Sequence, residues 1–290
     1  MVAGVMPRFV KDGLGHSGVE QSGVEQAMAA NWWRNIWERA LDQTSAVRVR
    51  DQDGIRRLYL GSDTVQSAMR LADPVFLELA YTRTMMATLL FRPEPERALL
   101  IGLGGASLVK FLHHRLAQCR LEVVESEAEV VEVARASFCM PPDDPRLTTI
   151  VGDGAAHLAA RRDPVDLLLV DVYDANRQVA RCASLEFFCS AERALTRDGV
   201  CAVNFWSNAP EYPVYRDRFL KAFCGRVVLI PVARPGNLIA LGFATADGDW
   251  RWSGLSDRAT ALREQYGLEF DTFVDAMRLA NPYTDVRLLI

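Results

Sequence analysis

A short apolar run, Ala98-Leu-Leu-Ile101, bends into Gly102-Leu-Gly-Gly105, after which Leu108, Phe111 and Leu112 recur at helical spacing. This reads as strand, glycine turn and helix, and it constrains the chain more than any other stretch. Glycines let a backbone turn tightly and come close to a ligand, so Gly102, Gly104 and Gly105 are the predicted binding turn. A second apolar run, Leu121-Glu-Val-Val124, ends on Glu125, about 20 residues beyond the glycines, where an acid can accept hydrogen bonds from both ribose hydroxyls. Together these features predict the opening βαβ unit of a nucleotide- or nucleoside-binding sheet. Ser107 stands where the dinucleotide pattern has its third glycine, which disfavours NAD.

Downstream, apolar runs and amphipathic segments alternate, the pattern of a parallel α/β sheet. Strands are expected at 98–102, 121–125, 147–151, 166–171, 199–205, 226–231 and 238–244, with helices near 106–117, 127–137, 154–161, 185–196 and 212–223. Only Val232 to Asn237, with Pro235-Gly236 as the turn, joins the last two strands. That link is too short for a parallel crossover, so the last strand must run antiparallel. The expected fold class is therefore α/β: a seven-stranded Rossmann-like sheet of the kind found in S-adenosylmethionine-dependent transferases. Residues 255–279 read as one or two C-terminal helices.

Upstream, residues 1–26 contain two copies of Ser-Gly-Val-Glu-Gln and no apolar signal-peptide core, and read as a disordered leader. Trp32, Trp33, Ile36 and Trp37 lie on one side of an amphipathic helix over 27–43, suited to docking on the body or on a second subunit. Residues 46–50 and 55–60 flank Asp53-Gly54 as a β-hairpin. A helix is expected from Pro74 to Leu90, stopped by Arg92-Pro-Glu-Pro95. The expected division is a leader (1–26), an N-terminal helix with a small β domain (27–70) and a catalytic domain (71–290).

Half of the 290 residues are hydrophobic, enough for a sizeable core. A formal net charge of −4, without a basic patch, argues against a nucleic-acid partner. The six cysteines lack any CxxC pairing and read as free thiols of a cytoplasmic protein rather than as disulfides. Four histidines make a histidine-rich metal site improbable. No apolar stretch reaches the roughly 20 residues that span a bilayer, so no membrane role is expected.

Further candidates for chemistry sit at strand ends. Asp153, in Val151-Gly-Asp-Gly154, either caps the next helix or accepts from an adenine amino group. Asp171 and Asp174 follow the fourth strand of the sheet, with Tyr173 between them. This carboxyl edge is where open α/β sheets bind ligands. Two carboxylates and an aromatic ring suit a cationic small-molecule amine, and a carboxylate can take the proton that a nucleophilic amine must lose. Tyr81, Glu78, Trp206 and Asn208 either line the cleft or pack in the core.

Over roughly residues 46–290 the chain resembles the spermidine synthase (polyamine aminopropyltransferase) family, especially its shorter bacterial members. The resemblance rests on the hairpin ending near Gln66, Ile101-Gly-Leu-Gly-Gly105, Val123-Val-Glu-Ser-Glu127, Asp144-Pro-Arg-Leu147 with Val151-Gly-Asp-Gly154, Val170-Asp-Val-Tyr-Asp174 and Ser184-Leu-Glu-Phe-Phe188. It implies a small N-terminal β domain, a methyltransferase-like sheet, a homodimer, and decarboxylated S-adenosylmethionine as donor of an aminopropyl group to an amine such as putrescine. By position, Glu125 holds the ribose, Asp153 the adenine, Gln66 lies near the nucleoside, and Asp171 and Asp174 bind the acceptor. Two departures stand out. Gly105 occupies the place of an acid that grips the donor's ammonium, and Tyr81 is displaced by one position from the family's tyrosine. Gly105 leaves room for two rivals, a methyltransferase using intact S-adenosylmethionine and a catalytically silent nucleoside-binding homologue. An NAD dehydrogenase lacks support, because no second mononucleotide-binding half is visible.

Overall fold

The computed structural model describes residues 47–172, 178–233 and 236–290. The leader, the tryptophan-rich segment 27–43, Tyr173, Asp174 and Pro235 lie outside the described residues. Strands β1 (Val47–Gln52) and β2 (Ile55–Leu60) form the expected hairpin, with Gln52 opposite Ile55. Asp53 and Gly54 take φ of 54° and 73°, the left-handed pair that a two-residue hairpin turn demands.

A third strand, β3 (Val65–Arg70), pairs antiparallel with β2 and completes a three-stranded sheet. Val65-Gln-Ser-Ala-Met-Arg70 has no alternating apolar face that would announce a strand. Burial of Ser67, Ala68 and Met69 together decides it instead.

The helix expected from Pro74 is corrected. Helix α1 covers only Ala80–Met85 and runs directly into a 3₁₀ turn at Met86–Leu90. Arg83 Nη1 donates to the carbonyls of Leu77 and Glu78, both at 2.9 Å. Those acceptors would otherwise serve a helix, so the guanidinium holds the preceding segment irregular. Leu77 is nonetheless fully buried, which is why its apolar spacing mimics a helix.

The remaining elements alternate: β4 (Arg97–Ile101), α2 (Ser107–Arg115), β5 (Arg120–Glu125), α3 (Ala128–Ser137), β6 (Leu147–Val151), α4 (Gly154–Ala160), β7 (Val165–Val170), α5 (Gln178–Cys182), α6 (Leu185–Arg193), β8 (Leu195–Trp206), α7 (Tyr212–Ala222), β9 (Val227–Pro231), β10 (Asn237–Phe243), α8 (Trp252–Tyr266) and α9 (Phe270–Ala280). The sheet order is β6-β5-β4-β7-β8-β10-β9. Strand β10 runs antiparallel to both neighbours, as the short link before it requires. Chain order reverses between β4 and β7, and this switch opens a crevice at the carboxyl edge.

Alternation along β4 sends Ala98 and Leu100 into one face of the core and Leu99 and Ile101 into the other. On the first face α2, α8 and α9 cover the sheet, and on the second α6 and α7 do so. The small sheet docks through Leu58 and Met69 on Phe138, just past α3. Lys110 of α2, fully buried, donates to the Phe138 carbonyl at 2.7 Å. Burial pushes its amine down to about 8. These contacts lay β3 across the glycine turn.

Candidate active site

The turn after β4 is built for close approach. Gly102 has a φ of 95°, and a Cβ there would lie 2.1 Å from the Asp171 carbonyl oxygen. Without a side chain the ends of β4 and β7 draw together, and the Asp171 N–H donates to the Ile101 carbonyl at 2.9 Å. Gly105 is crowded from the other side: a Cβ would meet Ser67 Oγ at 2.6 Å and Phe138 Cδ1 at 2.9 Å. Ser67 Oγ in turn lies 3.2 Å from Ser107 Oγ, fixing β3 to the first turn of α2. Glycine at 105 is thus a packing requirement of β3, which gives the departure at this position a physical cause.

Glu125, at the end of β5, is 9% exposed and turns back onto the glycines. Its Oε2 accepts from the Leu103 N–H at 2.8 Å, and its Oε1 accepts from Ser126 Oγ and the Glu127 N–H at 3.2 and 3.1 Å. The turn and the acid are therefore one preorganised unit, with the carboxylate on a cavity wall.

Asp171, one residue beyond β7, anchors a polar chain. Its Oδ2 accepts from the Tyr81 hydroxyl at 3.1 Å and its Oδ1 from Asn204 Nδ2 at 3.0 Å. Asn204 Oδ1 accepts from Asn237 Nδ2 at 2.9 Å. Burial raises the Asp171 carboxyl above the usual aspartate range, against the opposing pull of the Asn204 and Tyr81 hydrogen bonds. Burial, the Asp171 charge and their hydrogen bond push the Tyr81 phenol well up, so it stays a donor.

Sequence reasoning missed Asn204 and Asn237. The available signal was a lone amide near the carboxyl end of Val200-Cys-Ala-Val-Asn-Phe205, an otherwise apolar strand. Asn237 carries no local signal, since only the antiparallel pairing of β10 with β8 brings it to this edge.

The other candidates separate. Asp153 Oδ1 accepts from the Ala155 and Ala156 N–H groups at 2.8 and 3.0 Å, a helix cap for α4, and its Oδ2 pairs with Arg181. Gly154 lines the cavity and Asp153 does not. Gln66 lines it as well, its Nε2 donating to the Thr64 carbonyl at 3.3 Å. Trp206 is 52% exposed at the mouth, laid over Gly236 so closely that a Cβ there would sit 2.5 Å from the ring. Glu78 instead pairs with Arg70 at 2.6 Å, and neither it nor Asn208 lines the cavity.

The cavity occupies about 970 Å³ and runs along the carboxyl edge from Glu125, past Gly102 and Asp171, to Trp206 and Asn237. Its charged lining consists of Glu125, Glu127, Glu129, Asp171 and Glu211; among the described residues no lysine, arginine or histidine contributes. Walls of one sign focus a negative potential on the interior, which favours a cationic ligand. Among the described residues there is no cluster of metal-ligating side chains, and no helix is long and apolar enough to cross a membrane.

Residues 78–227 match the profile described as the spermine/spermidine synthase domain. A polyamine aminopropyltransferase of Chromobacterium violaceum is 36% identical over 251 residues, which cover 87% of this chain and 96% of that one. A protein of the same description from Neisseria meningitidis serogroup B is 33% identical over 237 residues, 81% of this chain and 90% of its own. In fold, the chain resembles a probable spermidine synthase from Corynebacterium glutamicum, with a TM-score of 0.61 at 18% identity, covering 84% of this chain and 95% of that one. A spermidine synthase in complex with the transition-state analogue AdoDATO gives a TM-score of 0.59 at 20% identity over 80% of this chain and 85% of its own.

Proposed function

Because the chain belongs to the spermine/spermidine synthase family, we propose that it transfers an aminopropyl group from decarboxylated S-adenosylmethionine to the amine of a small acceptor such as putrescine. Among the described residues the charged groups that line the cavity are all acidic, and this carries the reading. The donor's sulfonium and ammonium and the acceptor's ammonium are all cations, and each gains from such a field.

Glu125 accepts from the ribose hydroxyls with the lone pairs left free by the turn. Gly102, Gly104 and Gln66 bound the nucleoside. Asp153 reaches the adenine amino group with Oδ2 once Arg181 lets go, keeping its Oδ1 on the helix cap. Asp171 receives the acceptor amine, and Asp174 is the second acid of that site. The amine gives a proton to a carboxylate, its freed lone pair attacks the carbon beside sulfur, and the C–S bond breaks. The bonding pair stays on sulfur, leaving neutral methylthioadenosine. No covalent intermediate is needed, so orientation in one cavity is the main source of acceleration.

Tyr81 and Asn204 set the basicity of Asp171. Both hydrogen bonds favour its charged form, opposing burial. Tyr81→Phe removes one of them and raises the carboxyl further. The base must be ionised to act, so activity is lost as pH falls through its pKa. The acid limb of the kcat/KM profile of Tyr81→Phe is expected at higher pH than that of the parent, because a hydrogen bond that favours the charged carboxylate is lost. An unmoved limb removes Asp171 as the titrating base.

Gly105 favours one second reading. Without an acid there, the carboxylate of intact S-adenosylmethionine meets less repulsion, and methyl transfer becomes the rival reaction. Mass spectrometry of incubations with putrescine and either donor separates the two. Aminopropyl transfer yields spermidine and methylthioadenosine in equal amounts. Methylated amine and S-adenosylhomocysteine from the intact donor would overturn it.

A further inference from the structure

We propose that Asn237, at the start of β10, is a positioning residue for the proton acceptor: it holds the Asn204 amide with its N–H group toward Asp171, so that the carboxylate faces a donor and not a carbonyl. The inference rests on the reading above in that Asp171 takes the proton of the amine.

Asp171 has no cation to support its charge. Among the described residues its side-chain partners are the Tyr81 hydroxyl from α1 and the Asn204 amide from β8. Strand β4 meets it through the backbone of Gly102. Among the described residues the charged side chains that share its cavity are acids: Glu125 of β5, Glu127 and Glu129 at the start of α3, and Glu211 before α7. Two neutral dipoles therefore stand against the effect of burial, and the direction of each one matters.

An amide has two ends of opposite character. As placed, Asn204 Nδ2 donates to Asp171 Oδ1 at 3.0 Å, and Asn204 Oδ1 accepts from Asn237 Nδ2 at 2.9 Å. Turned over, Asn204 would set its carbonyl against the carboxylate and its Nδ2 against Asn237 Nδ2. Both contacts thus agree on one orientation. Among the described residues neither amide side chain bonds to anything else, so the chain from Asn237 to Asp171 is their whole polar contact.

The backbone puts Asn237 in reach. Ile239 stands opposite Asn204 in the antiparallel pairing of β10 with β8, so Asn237 is its diagonal neighbour on the same face. The turn before it is held, because the Gly236 carbonyl accepts from the Ser207 N–H and Oγ at 2.7 and 3.2 Å.

Carbon-13 NMR of the Asp171 carboxyl, in protein labelled at aspartate Cγ and assigned with Asp171→Asn, reads its titration directly. The midpoint is expected to rise in Asn237→Ala, where nothing holds the Asn204 carbonyl. It should rise further in Asn237→Asp, which keeps the shape of asparagine but can compete for the Asn204 N–H groups. In an Asn204→Leu background, Asn237→Ala should leave the midpoint in place. Methylthioadenosine affinity and melting temperature read a merely structural role, and Asn237→Ala should keep both near the parent values. A midpoint unmoved in both variants, or one that moves as far in Asn237→Ala without Asn204 as with it, overturns the inference.

The proposed reaction fails separately. If the carboxyl titrates as expected but neither donor yields an aminopropylated amine, that reading falls and the positioning role stands. If product forms, a base with a raised midpoint loses its ionised form at higher pH. On the acid limb, Asn237→Ala is then expected to lower kcat about threefold to tenfold, roughly the worth of one hydrogen bond. An acid limb shared with the parent would refute the positioning role and leave the reaction intact.

Discussion

Asp171→Asn is expected to lower kcat/KM for aminopropyl transfer by about 10²- to 10⁴-fold, the range for removing a positioned general base, while donor affinity changes by less than about threefold. Asparagine keeps the size of the side chain and removes its charge and its capacity to take a proton. The nucleoside contacts assigned to Glu125 and Gln66 lie on other elements and are untouched. Stability should move the other way. Burial raises the folded-state pKa of Asp171, so the unfolded chain ionises more readily and this carboxyl opposes folding at pH values above its ordinary range. Replacing it relieves that cost, so the melting temperature should hold or rise. A variant that folds as well as the parent and loses only turnover assigns Asp171 to chemistry. Turnover within threefold of the parent removes the base from the mechanism.

The second large effect concerns Gly105. Gly105→Asp restores the acid expected from the family pattern, yet here it should destroy rather than improve binding. Its Cβ alone meets Ser67 Oγ at 2.6 Å and Phe138 Cδ1 at 2.9 Å. Both neighbours are constrained: Ser67 by its strand and Ser107, and Phe138 by a core shared with Leu58 and Met69. Overpacking of this kind costs about 1–3 kcal/mol, and a carboxylate forced against an apolar ring adds a comparable desolvation penalty. A loss of about 3 kcal/mol or more lowers the melting temperature by roughly 6–12 °C for a chain of this size. Donor affinity should fall as β3 is pushed off the turn. Gly105→Ala separates the terms, since it introduces the clash without the charge. A Gly105→Asp protein that melts with the parent and binds the donor more tightly would show that β3 yields at this position.

The sheet was legible because its information is local. Apolar runs such as Leu167-Leu-Leu-Val170, the glycine bend after Ile101 and the short Val232–Asn237 link each dictate backbone geometry within a few residues. Glu125 and Asp171 were legible for the same reason, as acids at the carboxyl ends of identifiable strands. What stayed hidden depends on contacts distant in sequence. Strand β3 has no amphipathic pattern and is defined by pairing with β2 and by the Phe138 contact. The irregular backbone before α1 is held by Arg83. Asn237 reaches Asn204 only because β10 reverses. Asp153 reads from its two flanking glycines as an adenine ligand before it reads as a cap, yet the cap is the contact the fold supplies, with Arg181 on the remaining oxygen. Gly105 looked like a missing acid until the position of β3 supplied the reason for its glycine.

The central claim is that one cavity along the carboxyl edge holds an adenosyl group at Glu125 and an amine at Asp171. A crystal structure of the protein with methylthioadenosine and 1,4-diaminobutane tests it most directly. The predicted result is ribose hydroxyls in hydrogen-bond contact with the Glu125 carboxylate and one amine nitrogen in contact with Asp171, facing the sulfur. Nucleoside bound away from the Gly102–Gly105 turn, or diamine bound with no contact to Asp171, would contradict it.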